Sequence, residues 1–164
     1  MDAFAVIDSP VGAVGLESDG RAVTRVFWPS PARAALAADP GPLLSAAADQ
    51  LRAYFSGDLT SFDLPFDLGE QSEVTRAVLG ALYDTVRHGE CVTYGELAAR
   101  SGTEVPARAI GSIMGANPIP LIVPCHRVVA SDGLGGYSGG APGEGLATKR
   151  WLLEHEGVLP RSLF

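Results

Sequence analysis

Apolar and polar residues alternate through Phe4-Ala5-Val6-Ile7, Ala13-Val14-Gly15-Leu16 and Val23-Thr24-Arg25-Val26-Phe27-Trp28, and the runs are broken at Ser9-Pro10, Ser18-Asp19-Gly20 and Pro29. A period of two bounded by turn formers predicts a small antiparallel sheet. The period then lengthens. Leu43, Leu44, Ala47, Leu51, Tyr54 and Phe55 fall at helical spacing in an alanine-rich stretch that Gly57 ends. Phe62 to Phe66, with Pro65 inside, reads as an edge strand or a linker. A boundary near Asp67 to Ser72 divides the chain into an amino-terminal lobe, 1–70, and a carboxy-terminal lobe, 71–164.

In the second lobe the helical period dominates. Glu73 to Val86 carries Val74, Val78, Leu79, Leu82 and Val86 on one face and stops at His88-Gly89. A short helix, Glu96 to Arg100, follows Tyr94 and stops at Ser101-Gly102; Thr103 or Pro106 opens another that runs to about Gly115. Two short helices around a glycine-containing turn make a helix-turn-helix candidate. The second of them carries Arg108, Gly111, Ser112 and Gly115, and its small residues would let a backbone approach nucleic acid closely at a cost in helix stability. The run Leu121-Ile122-Val123 predicts a buried strand, and Ala147 to His155 a terminal helix stopped by Gly157. The fold class is α+β.

Composition narrows the picture. At 164 residues and 46% hydrophobic content the chain can bury a sizeable core as one unit or two small lobes. It has no apolar stretch near the roughly 20 residues of a membrane span, and Met1-Asp2-Ala3 lacks the basic start of a secretory signal, so the expectation is a cytoplasmic protein with no membrane partner. Two cysteines, Cys91 and Cys125, form no disulfide framework, and no Cys/His cluster has zinc spacing, so neither a metal nor a cofactor is expected. The net charge of -7 argues at first against a polyanionic partner. Its distribution alters that conclusion: residues up to 85 hold five basic and twelve acidic groups, whereas the remainder holds seven of each. A neutral carboxy-terminal half can bind DNA through few phosphate contacts, with shallow salt dependence.

The chemistry concentrates at Pro124-Cys125-His126-Arg127. Cys125 has a potential base and a cation as neighbours in the chain, and such neighbours raise the thiolate fraction of a free thiol. Cys91 has no such context and reads as a buried, unreactive thiol. The same tetrapeptide, preceded by Arg108-Ala109-Ile110-Gly111 and Asn117-Pro118, stands in fixed order with Gly136-Tyr137-Ser138-Gly139-Gly140 and Trp151-Leu152-Leu153-Glu154-His155-Glu156-Gly157. Together they closely resemble the O6-alkylguanine-DNA alkyltransferases. The resemblance extends upstream through Val92-Thr93-Tyr94-Gly95-Glu96-Leu97 and more loosely to Asp8-Ser9-Pro10-Val11-Gly12 and Tyr54-Phe55-Ser56-Gly57.

That resemblance implies a ribonuclease-H-like amino-terminal lobe and a winged helix-turn-helix-like carboxy-terminal lobe, a monomer whose partner is duplex DNA containing alkylated guanine. It implies a stoichiometric transfer of the alkyl group to Cys125, which leaves the protein spent because a thioether has no good leaving group. His126 is the implied base, working through a water because adjacent side chains in an extended segment diverge. The motif register makes Glu156 the carboxylate that orients it, with Glu154 facing Arg150 on the exposed side and His155 at the surface or in a cap. Tyr94 is the implied hydroxyl donor to the departing base. Val128, Tyr137, Ser138 and Gly139 line the slot, and Asn117 braces the turn before Cys125. Arg108, with Gly111, Ser112 and Arg127 at the DNA, would fill the space of a base extruded through the minor groove.

Three features depart from the family pattern: Val74 and Gly80 where bulky aromatics are common, Gly115 where a basic residue is common, and an insertion at Ala141 to Gly145 that would lengthen or loosen a wall of the slot. A non-catalytic alkyltransferase-like lesion binder and a Cys-His hydrolase are the rival readings. Cys125 argues against the first, since such relatives typically lack the active cysteine, and the Arg108 helix has no use in the second.

Overall fold

Ala3–Ile7 (β1), Val14–Ser18 (β2) and Val23–Phe27 (β3) pair antiparallel in the order β1-β2-β3, with Ile7 opposite Val14 and Gly15 opposite Phe27. The computed structural model describes residues 3–160. Met1 and Asp2, on which the reading of the amino terminus rested, and Arg161, one of the basic residues counted above, lie outside them. The buried positions of the sheet (Ile7, Val14, Leu16, Val23, Val26) face Gly41–Ser56 (α2), which contributes Leu44, Ala47 and Leu51. Gly57 ends α2 at φ 88°, a left-handed conformation open to glycine, and its N–H satisfies carbonyls of the last turn. A one-turn helix, Pro31–Ala34 (α1), capped by Ser30, lies in the connection and was not legible in the pattern.

The edge of β3 is closed rather than left as a template for another strand. Phe66 bridges Val23, with Val23 N–H donating to Pro65 O and Asp67 N–H to Val23 O, so the Phe62 to Phe66 segment is an edge partner reduced to one bridge by its proline. Farther along, Val26 N–H donates to Pro118 O at 3.0 Å, which joins the sheet to the second lobe.

Glu73–Thr85 (α3) is capped by Ser72 and ends one residue earlier than the pattern predicts, with Val86 already extended. Val78, Leu79, Leu82 and Val86 are buried as expected, but Val74 is 40% exposed in the first turn, outside the core. Gly80 likewise has open space where a side chain would stand. The aromatic residues missing at these two positions therefore leave no packing defect. Val92–Thr93 (β4) leads into Tyr94–Arg100 (α4), which begins with a complete capping box: Thr93 Oγ1 accepts from Glu96 N–H and Glu96 accepts from Thr93 N–H. Ala107–Gly115 (α5) packs across α4, with Ile110 and Met114 inward. Val128–Val129 (β5) pairs parallel with β4, and Gly145–His155 (α6) closes the fold. Among the described residues no helix is long and apolar enough to cross a membrane.

Two expectations fail here. Leu121-Ile122-Val123 is a buried turn, not a strand: Pro120 and Pro124 remove ladder donors, and Leu121 adopts φ 73°. Cys91 is exposed. It precedes buried Val92, and in an extended segment neighbours point to opposite sides.

Candidate active site

The left-handed Leu121 is a strained position, worth about 1–2 kcal/mol for a residue with a Cβ, and Asn117 holds it in place. Its amide donates to Val123 O at 2.9 Å, its carbonyl oxygen accepts from Ile119 N–H at 3.0 Å, and Val123 N–H returns to Ile119 O at 2.9 Å. This brace delivers Cys125–Arg127, a single 3-10 turn, to the floor of a cavity. Successive side chains there diverge by about 120° rather than alternating as in a strand. The divergence expected for Cys125 and His126 thus persists in a different geometry, and among the described residues no hydrogen bond joins the two.

The cavity, about 380 Å³, is walled by Tyr94 and Val128, by Gly136, Tyr137 and Ser138, and by Gly111, Met114 and Gly115 of α5, with Cys125 among them. That size suits a small ligand. A larger crevice of about 650 Å³ lies between Thr60-Ser61-Phe62 and the Tyr83 to His88 segment, but no cysteine lines it and it meets the Cys125 turn only at the back, through Pro124 and Arg127. The smaller cavity is therefore the candidate site. Tyr94 Oη accepts from Gly136 N–H at 3.2 Å, which ties the two walls. Gly135 makes that approach possible: it sits at φ 71°, and a Cβ there would run into the Tyr94 hydroxyl. Gly135→Ala is expected to lower stability by about 1–2 kcal/mol and to slow the site's reaction by displacing Tyr94, read by a urea midpoint and a single-turnover rate. Gly139 does not line the cavity; it lies under the Tyr137 ring, where a side chain would collide. Nor do Ala141 to Glu144 line it. The insertion meets the site through Gly145, whose missing side chain lets α6 start against Tyr137 O.

Behind the thiol lies a buried ionic network. His126 Nε2 donates to Glu156 Oε2 at 2.7 Å, Arg127 Nε to Glu156 Oε1 at 2.8 Å, and Arg127 Nη2 to Oε2 at 3.2 Å. Arg127, expected at the DNA, is instead buried with its third donor on Val86 O at 2.9 Å, so it offers no phosphate contact. Burial alone would raise the Glu156 carboxyl, yet His126 and Arg127 hold it well below the usual carboxylate range. Burial lowers the His126 imidazolium, offset in part by Glu156. His126 is therefore neutral near pH 7, with Nε2–H committed to Glu156 and Nδ1 as the basic nitrogen. That nitrogen is buried and, among the described residues, has no hydrogen-bond partner, and the same holds for the Tyr137 hydroxyl. Burial pushes the Cys125 thiol up to about 11, opposed by the Asn117 amide and the Lys149 ammonium. A thiol so placed is inert until a base takes its proton.

Lys149 escaped the sequence reading. It is fully buried on α6 and donates to Val128 O at 2.6 Å and Gly136 O at 2.9 Å, fastening β5 to the cavity wall. Desolvation lowers it to about 8, with the nearby Cys125 acting the other way. The signal was present: Lys149 shares the spacing of Leu152, Leu153 and Glu156, all buried on one face of the helix. His155, expected at the surface, is half-buried, stacked on Trp151 at 4.6 Å, and donates to Tyr54 O at 2.7 Å. Glu154 is half-buried rather than on an open face. Arg108 is exposed on α5, one turn before Gly111 at the cavity rim, and Ser112 lies on the same exposed side. Among the described residues no cluster could hold a metal ion.

Comparison with known proteins follows the same division. The family model described as 6-O-methylguanine DNA methyltransferase, ribonuclease-like domain, matches residues 3–68, and that described as 6-O-methylguanine DNA methyltransferase, DNA binding domain, matches residues 73–158. The methylated-DNA--protein-cysteine methyltransferase of Mycobacterium tuberculosis strain H37Rv is 42% identical over 161 residues, covering 93% of this chain and 91% of its own. A crystal structure of the M. tuberculosis O6-methylguanine methyltransferase superposes with a TM-score of 0.81 at 41% identity, covering 99% of this chain and 98% of the other. The M. tuberculosis protein in complex with DNA gives a TM-score of 0.79 at 40% identity, covering 96% and 95%.

Proposed function

The chain belongs to the 6-O-methylguanine DNA methyltransferase family, and on that basis we propose that it repairs O6-alkylguanine in DNA by moving the alkyl group irreversibly onto Cys125. The observation that carries the reading is a buried thiol on the floor of a small cavity, followed in the chain by a buried imidazole whose carboxylate partner is already in place. In this reading the thiol proton passes to Nδ1 of His126 through a water, and the Glu156 carboxylate stabilises the resulting imidazolium. Sγ attacks the alkyl carbon, the bond from that carbon to O6 breaks, and its electron pair leaves with the purine. Tyr94, in the cavity wall, donates a hydrogen bond to the ring as charge develops there. Val128, Tyr137 and Ser138 hold the base.

The carboxy-terminal lobe, 71–164, carries DNA binding and transfer, and the amino-terminal lobe, 1–70, covers the back of the relay. Exposed Arg108, with Gly111 and Ser112, contacts duplex DNA at the cavity mouth and occupies the gap left by the extruded base. The protein acts as a cytoplasmic monomer, in a reducing compartment where the Cys125 thiol stays free. Arg108→Ala should slow transfer from a duplex roughly tenfold or more, since the finger offsets part of the few kcal/mol that extrusion costs, and should leave transfer from the free alkylated base nearly unchanged. Paired single-turnover rates check this. The reading itself is tested by intact-mass spectrometry after incubation with a short duplex containing O6-methylguanine: one methyl group per chain, mapped to Cys125, is expected. An unmodified protein that still binds the duplex would overturn it.

A further inference from the structure

Glu156 accepts a fourth hydrogen bond, and its donor comes from the other lobe. Tyr54, in the last turns of α2, donates its buried hydroxyl to Glu156 Oε2 at 2.5 Å, the same oxygen that accepts from His126. The residue is fixed on every side. Its carbonyl accepts from His155 at 2.7 Å, and its ring packs against Phe55 at 5.2 Å, Phe62 at 5.4 Å and His155 at 5.3 Å. No phenol is needed for that packing; a phenylalanine would fill the same space. Among the described residues the hydroxyl's hydrogen-bond partner is the carboxylate behind His126.

We propose that Tyr54 is a positioning residue of the relay, supplied by the amino-terminal lobe, whose phenol fixes Glu156 and limits how strongly that carboxylate can draw a proton onto His126. The inference rests on the alkyl-transfer reading of the site. Every donor on a carboxylate withdraws part of its charge, so an Oε2 shared between Tyr54 and His126 supports the imidazolium less than an unshared one. The phenol itself stays protonated, because burial and the adjacent Glu156 both raise it far above its ordinary value. Its contribution is therefore constant across the working pH range. Tyr54 also explains how a lobe that holds none of the reacting groups can bear on their rate.

The groups around His126 set the sign of the test. Glu156 favours its charged form. Arg127 from the same turn and Lys149 from α6 oppose it. His88, before β4, is coupled to the same cluster, with its own charged form lowered by burial, and His155 and Cys125 complete the surroundings. Tyr54→Phe leaves all of these and removes one donor from Glu156. His126 then becomes easier to protonate, and its titration midpoint moves up.

Imidazole nitrogen NMR of the 164-residue chain should show the His126 midpoint raised by about half a unit or more in Tyr54→Phe. The acid limb of the single-turnover rate should move by the same amount. Site-specific replacement of Tyr54 by 3-fluorotyrosine, a more acidic phenol and stronger donor, should move both downward, and it retains the packing if the phenylalanine variant folds poorly. Phe62→Leu, which disturbs the ring but not the hydroxyl, should lower stability without moving the midpoint. An unchanged His126 midpoint in Tyr54→Phe and in the fluorinated protein would overturn the proposal. The NMR titration needs no alkyl transfer, so native protein that failed to take up a methyl group would refute the repair reading separately.

Discussion

Cys125→Ala should abolish alkyl transfer completely while binding to an O6-methylguanine duplex persists. In the proposed transfer the thiol supplies the bond-forming atom, and the other groups of the cavity wall are poor replacements: Tyr94, Tyr137 and Ser138 carry hydroxyls far less nucleophilic than a thiolate. Cys91 is exposed and is not part of the cavity wall, so it does not meet an extruded base. The substitution removes one buried sulfur from a braced turn. The expected stability loss is about 1 kcal/mol, small because the Asn117 bonds to Val123 and Ile119 do not involve the thiol carbon skeleton. The proposed DNA contacts, Arg108, Gly111 and Ser112, are untouched, so binding should survive. Intact mass after incubation should show no added methyl group, and a gel shift on the lesion duplex should match the native protein. Methyl uptake by the variant at any residue near the native rate would remove Cys125 from the nucleophile's role.

How much of this was legible before the structure depended on whether the signal was local. Strand alternation and helical spacing located the sheet, α2, α3, α4, α5 and α6 within a few residues, because each element buries one face against a single neighbour. Leu121-Ile122-Val123 misled because an apolar run reports burial and not backbone geometry; the flanking Pro120 and Pro124 were the discriminating signal. Arg127 misled for a related reason. A basic residue in a DNA-handling motif suggests phosphate, but its guanidinium is consumed by Glu156, a partner 29 positions away that only the packing of α6 brings near. Tyr54 and Glu156 are 102 positions apart, and nothing in either segment announces the pair. Lys149 could have been found, since a lysine in register with buried leucines must be neutral or partnered. The nucleophile, base and orienting carboxylate were assigned from the resemblance. What the residues alone could not supply was the direction each group's proton affinity is driven, which depends on burial and on partners from several elements.

Glu156→Gln should be the most damaging change that preserves shape. Its four neighbouring contacts all come from donors: His126 Nε2, Arg127 Nε and Nη2, and the Tyr54 hydroxyl. A carboxylate accepts all of them through two oxygens, whereas a glutamine offers one oxygen and turns an N–H₂ toward donors that cannot receive it. Arg127 would remain charged and buried with its counter-charge gone, a loss of about 3–5 kcal/mol. His126 would lose the group that stabilises its charged form, so transfer should fall about a hundredfold or more even in the folded fraction. The pH dependence separates this account from simple misfolding. Glu156 is held below its unfolded value, so its contribution is fully present above about pH 4.3 and is lost as the pH falls through the depressed folded value. His126 is also held below its unfolded value, so a second contribution, present above about pH 6.5, declines as acid forces a proton onto the buried ring. The native protein should therefore lose stability in both windows. The glutamine variant lacks the lower loss and has a larger His126 loss, because Glu156 no longer favours the imidazolium, so the gap between the two urea midpoints should widen as the pH falls below about 6.5 and narrow progressively below about pH 4.3. A gap that stayed constant from pH 7 to pH 3 would mean that Glu156 stabilises the fold by shape alone, and the ionic relay assigned to it would have to be abandoned.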